Sequence, residues 1–194
     1  MIPLARISMQ VDITTGWLDD ARRVESSNCD DRPEGATIDA IVVHGISLPP
    51  GEFGGPWVEA LFTNTLDPEY HPYFQEICQL RVSAHVLIHR DGRITQFVPF
   101  NRRAWHAGES SLAGRPCCND YSIGIELEGS DDRPYESVQY DRLAELIAAL
   151  KQAYPMITAD RVVGHSDVSP GRKTDPGLAF DWPRVRKLLS RHLA

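Results

Sequence analysis

Ile38 to His44 reads IDAIVVH, a β-branched run that suits a buried strand and delivers a histidine to the edge of a sheet. Arg161 to Gly164 (RVVG) repeats the arrangement in shorter form, with His165 next in the chain. Strand ends at a sheet edge are where α/β proteins commonly place ligands and metals, so two histidines in matching positions suggest one shared site.

The remaining elements surround those strands. Ser83–His89 (SAHVLIH) and Ile94–Val98 (ITQFV) flank an Asp91-Gly92 pair, the signal of an antiparallel hairpin. Ser122–Glu128 (SIGIELE) alternates Ile123, Ile125 and Leu127 with Gly124, Glu126 and Glu128, which is strand periodicity and turns Glu126 away from the isoleucines. Leu143, Leu146, Ile147, Leu150 and Tyr154 form the apolar stripe of a helix that starts near Ser137 as N-cap and ends before Pro155. Trp57–Phe62 and Tyr73–Leu80 read as short helices and Trp182–His192 as an amphipathic closing helix. Three prolines and four glycines make Gly45–Pro56 a long shaped loop. The implied fold class is α/β (α+β): a single domain with a central mixed β-sheet flanked by helices. Residues 1–15 are expected to be an N-terminal extension and 16–194 the functional domain, and 194 residues suffice for one full core.

Charge and cysteines narrow the function classes. Twenty Lys and Arg against 27 Asp and Glu give a net charge of −7, which disfavours nucleic acid and acidic membrane surfaces as partners. No apolar run nears the ~18 residues a membrane span needs, and Met1–Gln10 lacks the regions of a secretory signal, so the expectation is an unexported, cytoplasmic monomer. Cys29, Cys78, Cys117 and Cys118 show no C-x-x-C spacing, and free thiols are expected.

Asp175 lies ten residues after His165 inside Lys173-Thr174-Asp175-Pro176-Gly177, a turn able to fold its carboxylate back toward the histidines. Two imidazoles and one carboxylate would leave a zinc ion an open position, as catalytic zinc requires. The same residues also suit hydrogen-bonded histidines near the core and a turn cap, and spacing alone leaves both readings open. Glu126 likewise reads either as a catalytic carboxylate or as a strand carboxylate paired to arginine, and Lys173 by itself as a solvated charge.

Five ordered blocks, VVHGISLPPGEFGGPW, LRVSAHVLIHRDG, AWHAG, CNDYSIGIELEG and GHSDVSPGRKTDPG, resemble the AmpD family of anhydro-N-acetylmuramoyl-L-alanine amidases, within the type 2 amidase and peptidoglycan-recognition fold. The resemblance implies Zn2+ held by His44, His165 and Asp175, with Glu126 and Lys173 catalytic. It implies hydrolysis of the lactyl to L-alanine amide of anhydro-muropeptides in cytosolic peptidoglycan recycling. Arg81, Trp105, Arg115 and Asn119 are the candidate substrate contacts, with Trp105 offering a flat apolar face and Arg81 a fork for a peptide carboxylate. His85, His89 and His106 are expected not to be ligands. Three positions depart from the family pattern: Gly45 stands where many relatives carry asparagine, Ser166 where cysteine is frequent, and Cys117 where some carry a basic residue.

Two other readings compete. One is a non-catalytic muropeptide-binding module of the same fold. The other is a cysteine hydrolase built from Cys117 or Cys118 with His106 and Asp120.

Overall fold

The computed structural model describes residues 9–192. Its central sheet contains β1 (Arg22–Arg23), β2 (Ala40–Ile46), β3 (Val86–Ile88), β4 (Ile94–Gln96), β5 (Ser122–Glu128) and β6 (Val162–Gly164), in spatial order β6-β2-β5-β3-β4-β1. Strands β6, β2, β5 and β3 are parallel neighbours, β3 and β4 form the antiparallel hairpin, and β1 joins β4 in parallel. The helices are α1 (Trp57–Phe62), α2 (Pro72–Ile77), α3 (Ser137–Ala153), α4 (His165–Val168) and α5 (Trp182–His192).

Strand alternation divides the interior in two. Ile41, Val43, Val86, Ile88, Ile123, Ile125 and Leu127 share one face with Leu143, Leu146, Ile147 and Leu150 of α3 and Val185 of α5. Burying each of those α3 side chains contributes roughly 1.5–3 kcal/mol. On the other face Leu87 packs with Phe62, Phe74 and Ile77 of the α1–α2 region, and Ala40 and Val42 pack with Tyr121 and Val168. Both faces of β5 are therefore covered, and all seven of its residues are buried.

Several boundaries differ from the sequence reading. β2 continues through His44 to Ile46 because its parallel pairing with β5 persists to Glu128. The hairpin strands contract to three residues each, and the helix expected at Tyr73–Leu80 is Pro72–Ile77. Helix α3 is capped by Glu136 rather than Ser137: the Gln139 side chain accepts from the Glu136 N–H at 2.9 Å and donates to the Ile88 and Glu128 carbonyls, which ties the helix start to the sheet. Met9 is buried in the main core and Val11 pairs with Leu18, so packed chain reaches back beyond residue 16. Residues 1–8 of the expected extension lie outside the described residues.

Two glycines separate backbone strain from crowding. Gly35 has φ +73° with open space where a Cβ would stand, whereas Gly177 has φ +84° and its Cβ would fall 2.1 Å from the Asp131 Cα. Gly35→Ala is expected to cost roughly 1–2 kcal/mol from left-handed backbone alone. Gly177→Ala should cost roughly 2–5 kcal/mol because a collision is added. Urea unfolding of the two variants checks the difference.

Candidate metal centre and cleft

The parallel register places Glu126 of β5 directly beside His44 of β2. Both residues alternate away from the α3 face, so their side chains belong to the opposite side of the sheet. His165 arrives as the first residue of α4, immediately after β6 ends at Gly164. Asp175 is carried back by the turn that follows α4. The Asp175 carbonyl accepts from the Ser166 N–H at 2.9 Å, and the Pro176 carbonyl accepts from the Tyr135 hydroxyl at 2.9 Å.

Tyr135 also accounts for the glycine at position 45. A Cβ on Gly45 would stand 2.2 Å from the Tyr135 hydroxyl, and one on Gly129 would meet the Tyr135 ring at the same distance. The space of a residue-45 side chain thus holds a hydroxyl that braces the Asp175 turn.

Three lone-pair-bearing atoms converge here. His44 Nδ1 is 2.9 Å from His165 Nδ1, and Asp175 Oδ2 is 3.2 Å from the first and 3.1 Å from the second. Zinc bonds of ~2.0–2.1 Å in tetrahedral geometry set neighbouring ligands about 3.3 Å apart, so this donor set fits such an ion. Among the described residues it is the only group of three His, Cys, Asp or Glu close enough to hold a metal. His165 Nε2 donates to the Ala107 carbonyl at 3.1 Å, which leaves its Nδ1 with the lone pair.

The electrostatics suit the chemistry. Burial pushes His44 down to about 4 against the opposing pull of the adjacent Asp175 carboxylate, so it is the neutral imidazole a metal requires. Burial raises Asp175, yet the neighbouring His165 and His44 imidazoles outweigh it and hold the carboxyl well below the usual range. Burial, and then the charge of Asp175, lift Glu126 well above the usual carboxylate range, while Lys173 draws it down. Glu126 Oε2 is buried without a hydrogen-bond partner, an arrangement expected of a group whose partner is a ligand or water.

These residues border an open cleft of about 870 Å³. Lys173 and Trp105 line it, as do Leu61, Phe62, Tyr73, Ile77, Leu80 and Val82 on an apolar wall. Lys173 is exposed, its N–H bonded to the Ser169 carbonyl at 3.1 Å. The Trp105 ring is held by its Nε1–H, which donates to Asp30 Oδ1 at 3.1 Å. Arg81 is exposed between the lining residues Leu80 and Val82, near the Cys78 and Leu80 carbonyls, and is not itself part of the cleft lining.

The other two candidate contacts are engaged elsewhere. Arg115 lies over the Tyr121 ring at 3.8 Å and pairs with Asp39 at 3.2 Å. Asn119 Oδ1 accepts from the His106 and Ala107 N–H groups at 3.2 and 2.8 Å, so it braces the loop beneath the metal site. Both stand outside the cleft lining because local partners satisfy them first.

The thiols are not assembled for catalysis. Cys118 is buried with Sγ 3.2 Å from the Tyr121 hydroxyl, Asp120 is paired to Arg103, and both His106 nitrogens face His44 and Ser122. His85 is buried, its Nδ1 accepting from the Gly124 N–H at 3.0 Å, and His89 Nε2 lies 3.0 Å from the Thr95 hydroxyl. Arg172, absent from the sequence reading, lines the cleft and donates to the Ala107 carbonyl at 2.6 Å, beside the His165 hydrogen bond. Nothing in its sequence context distinguishes it from a surface arginine.

Comparison with known proteins identifies the family. Residues 34–178 match the N-acetylmuramoyl-L-alanine amidase family model. The 1,6-anhydro-N-acetylmuramyl-L-alanine amidase AmpD of Escherichia coli K12 is 60% identical over 176 residues, 91% of this chain and 96% of the relative. A crystal structure of a selenomethionine AmpD derivative superposes with a TM-score of 0.90 at 57% identity, covering 93% of this chain and 99% of that one. The E. coli amidase AmiD, in complex with the substrate anhydro-N-acetylmuramic acid-L-Ala-D-γ-Glu-L-Lys, superposes with a TM-score of 0.58 at 28% identity, covering 81% of this chain and 60% of that one. A match that spans β2 through the Asp175 turn, with near-complete coverage by full-length relatives, means that the chain belongs to the N-acetylmuramoyl-L-alanine amidase family.

Proposed function

We propose that this chain is a zinc-dependent amidase that hydrolyses the amide between the lactyl group of 1,6-anhydro-N-acetylmuramic acid and the L-alanine of a stem peptide, in peptidoglycan recycling. The observation that carries the reading is the convergence of His44, His165 and Asp175 beside the unpartnered Glu126 carboxyl in one cleft. Relatives that act on this bond, and one structure that contains such a substrate, supply the substrate class.

His44 Nδ1, His165 Nδ1 and Asp175 Oδ2 would hold the zinc. Bound zinc supplies a Lewis acid that polarises the scissile carbonyl and makes water more acidic. Glu126, raised above the usual carboxylate range by burial and held on a rigid strand, takes the proton of the attacking water and returns it to the departing L-alanine amine. Lys173, exposed on the cleft rim, offers its ammonium to the developing oxyanion. Trp105 presents its ring to the sugar or lactyl group. Arg81, exposed between the wall residues Leu80 and Val82, would offer its fork to a stem-peptide carboxylate.

The cytoplasm is the compartment we infer, since Cys29, Cys78, Cys117 and Cys118 are all free thiols. No helix among the described residues is long and apolar enough to cross a membrane.

Mass spectrometry of an anhydro-muropeptide incubated with the protein is expected to show free stem peptide, with release stopping on chelation and returning with zinc. Binding without cleavage would instead favour a recognition module. Glu126→Ala should retain zinc and lose about 100-fold or more in kcat, whereas His165→Ala should lose zinc and turnover together. Metal analysis beside single-turnover kinetics separates the two, and full activity in Glu126→Ala would remove that residue from the mechanism.

A further inference from the structure

His165 has a backbone carbonyl, that of Ala107, to fix which nitrogen carries its proton. His44 faces another imidazole: its Nε2 lies 3.0 Å from His106 Nδ1. Two imidazoles in contact leave the proton's direction open until something further along the chain of bonds decides it.

The decision is made at the far end. The Ser122 hydroxyl lies 2.6 Å from the Cys118 carbonyl oxygen, an atom that can only accept, so the hydroxyl proton goes there. Ser122 Oγ, 3.2 Å from His106 Nε2, is then left to accept, which places the His106 proton on Nε2. A neutral imidazole carries one N–H, so His106 Nδ1 is an acceptor and must receive the Nε2–H of His44. The His44 lone pair is thereby left on Nδ1, the atom that faces His165 and Asp175.

The relay is built rigidly. The backbone N–H groups of His106 and Ala107 are both held by Asn119 Oδ1. The His106 ring lies where a Cβ on Gly124 would come within 2.4 Å of it, so glycine at that β5 position makes room for the ring. Ser122, Gly124 and Glu126 occupy one face of one strand, and the catalytic carboxylate and the relay are therefore positioned together.

We propose that His106, backed by Ser122 and the Cys118 carbonyl, is a positioning residue that holds His44 as its Nε2–H tautomer and so keeps Nδ1 available to the metal. This rests on the zinc reading, but the tautomers themselves are properties of the metal-free chain.

Side-chain 15N NMR of the metal-free protein is expected to show Nε2 protonated in both His44 and His106 and Nδ1 unprotonated in His106. Protonation of His106 Nδ1, or a His44 whose Nε2 carries no proton, would overturn the relay. Zinc affinity measured by chelator competition should fall about 10–100-fold in His106→Leu, which keeps bulk but loses the acceptor. His106→Asn, whose Oδ1 takes the place of Nδ1, should retain most of the affinity, and Ser122→Ala should lose part of it. Circular dichroism of the metal-free variants reports whether each is folded. Wild-type affinity in a folded His106→Leu would overturn the proposal, and if that variant does not fold, the NMR result and Ser122→Ala decide it. A native chain that takes up no zinc would overturn the zinc reading, and the tautomers would still decide the relay.

Discussion

Two imidazole lone pairs and a carboxylate oxygen held within 3.2 Å of one another repel unless a cation or shared proton lies between them, and the architecture around the cleft keeps them there. Each comes from a different part of the chain. His44 is anchored by the β2–β5 ladder, His165 by the start of α4, and Asp175 by a turn braced through Tyr135. The cost of holding these groups together is met by burial elsewhere, above all by the apolar α3–α5 layer on the reverse face of the sheet.

One strand carries the Glu126 carboxyl and, through its ladder with β2, sets it beside His44. β5 has Ile123, Ile125 and Leu127 in the main core, which prevents it from slipping by one residue without turning its apolar side chains out of that core. That constraint also fixes Ser122, Gly124, Glu126 and Glu128 on the cleft side. Glu128 extends the same logic to the loop above: its carboxylate accepts from the Gly54 N–H and, at 3.2 Å, from the Arg90 N–H. Arg133 adds a bond to the Gly51 carbonyl at 2.9 Å, so the glycine- and proline-rich segment is tied to the rim it helps to form.

Much of this was legible in local pattern. IDAIVVH and SIGIELE carry their strand periodicity in the open, and the α3 stripe marks the helix that covers them. The substrate contacts were less legible because a polar side chain's partner is decided by what folds against it. Asn119 reads as a turn residue, yet two N–H groups from the His106 loop claim its carbonyl oxygen. Arg115 reads as a free cation, yet Asp39 and the Tyr121 ring take it. Gly45 reads as a lost polar contact, whereas in the fold the Tyr135 hydroxyl stands in that space.

The amino-acid sequence by itself determined which segments are strands, which face of each is apolar, and hence that His44 and Glu126 emerge on sides opposite the core stripe. Those follow from periodicities of two and 3.6 residues, which are local properties of the backbone. Only the tertiary structure decided that β2 and β5 are parallel neighbours in the register that sets His44 beside Glu126, and that Asp175 returns to meet His165. It alone turned His44 Nδ1 toward His165 and Asp175 and its Nε2 toward His106, whose other ring nitrogen meets Ser122 beside the Cys118 carbonyl. Pairing across long sequence separation depends on packing between elements, and no window of residues contains that information.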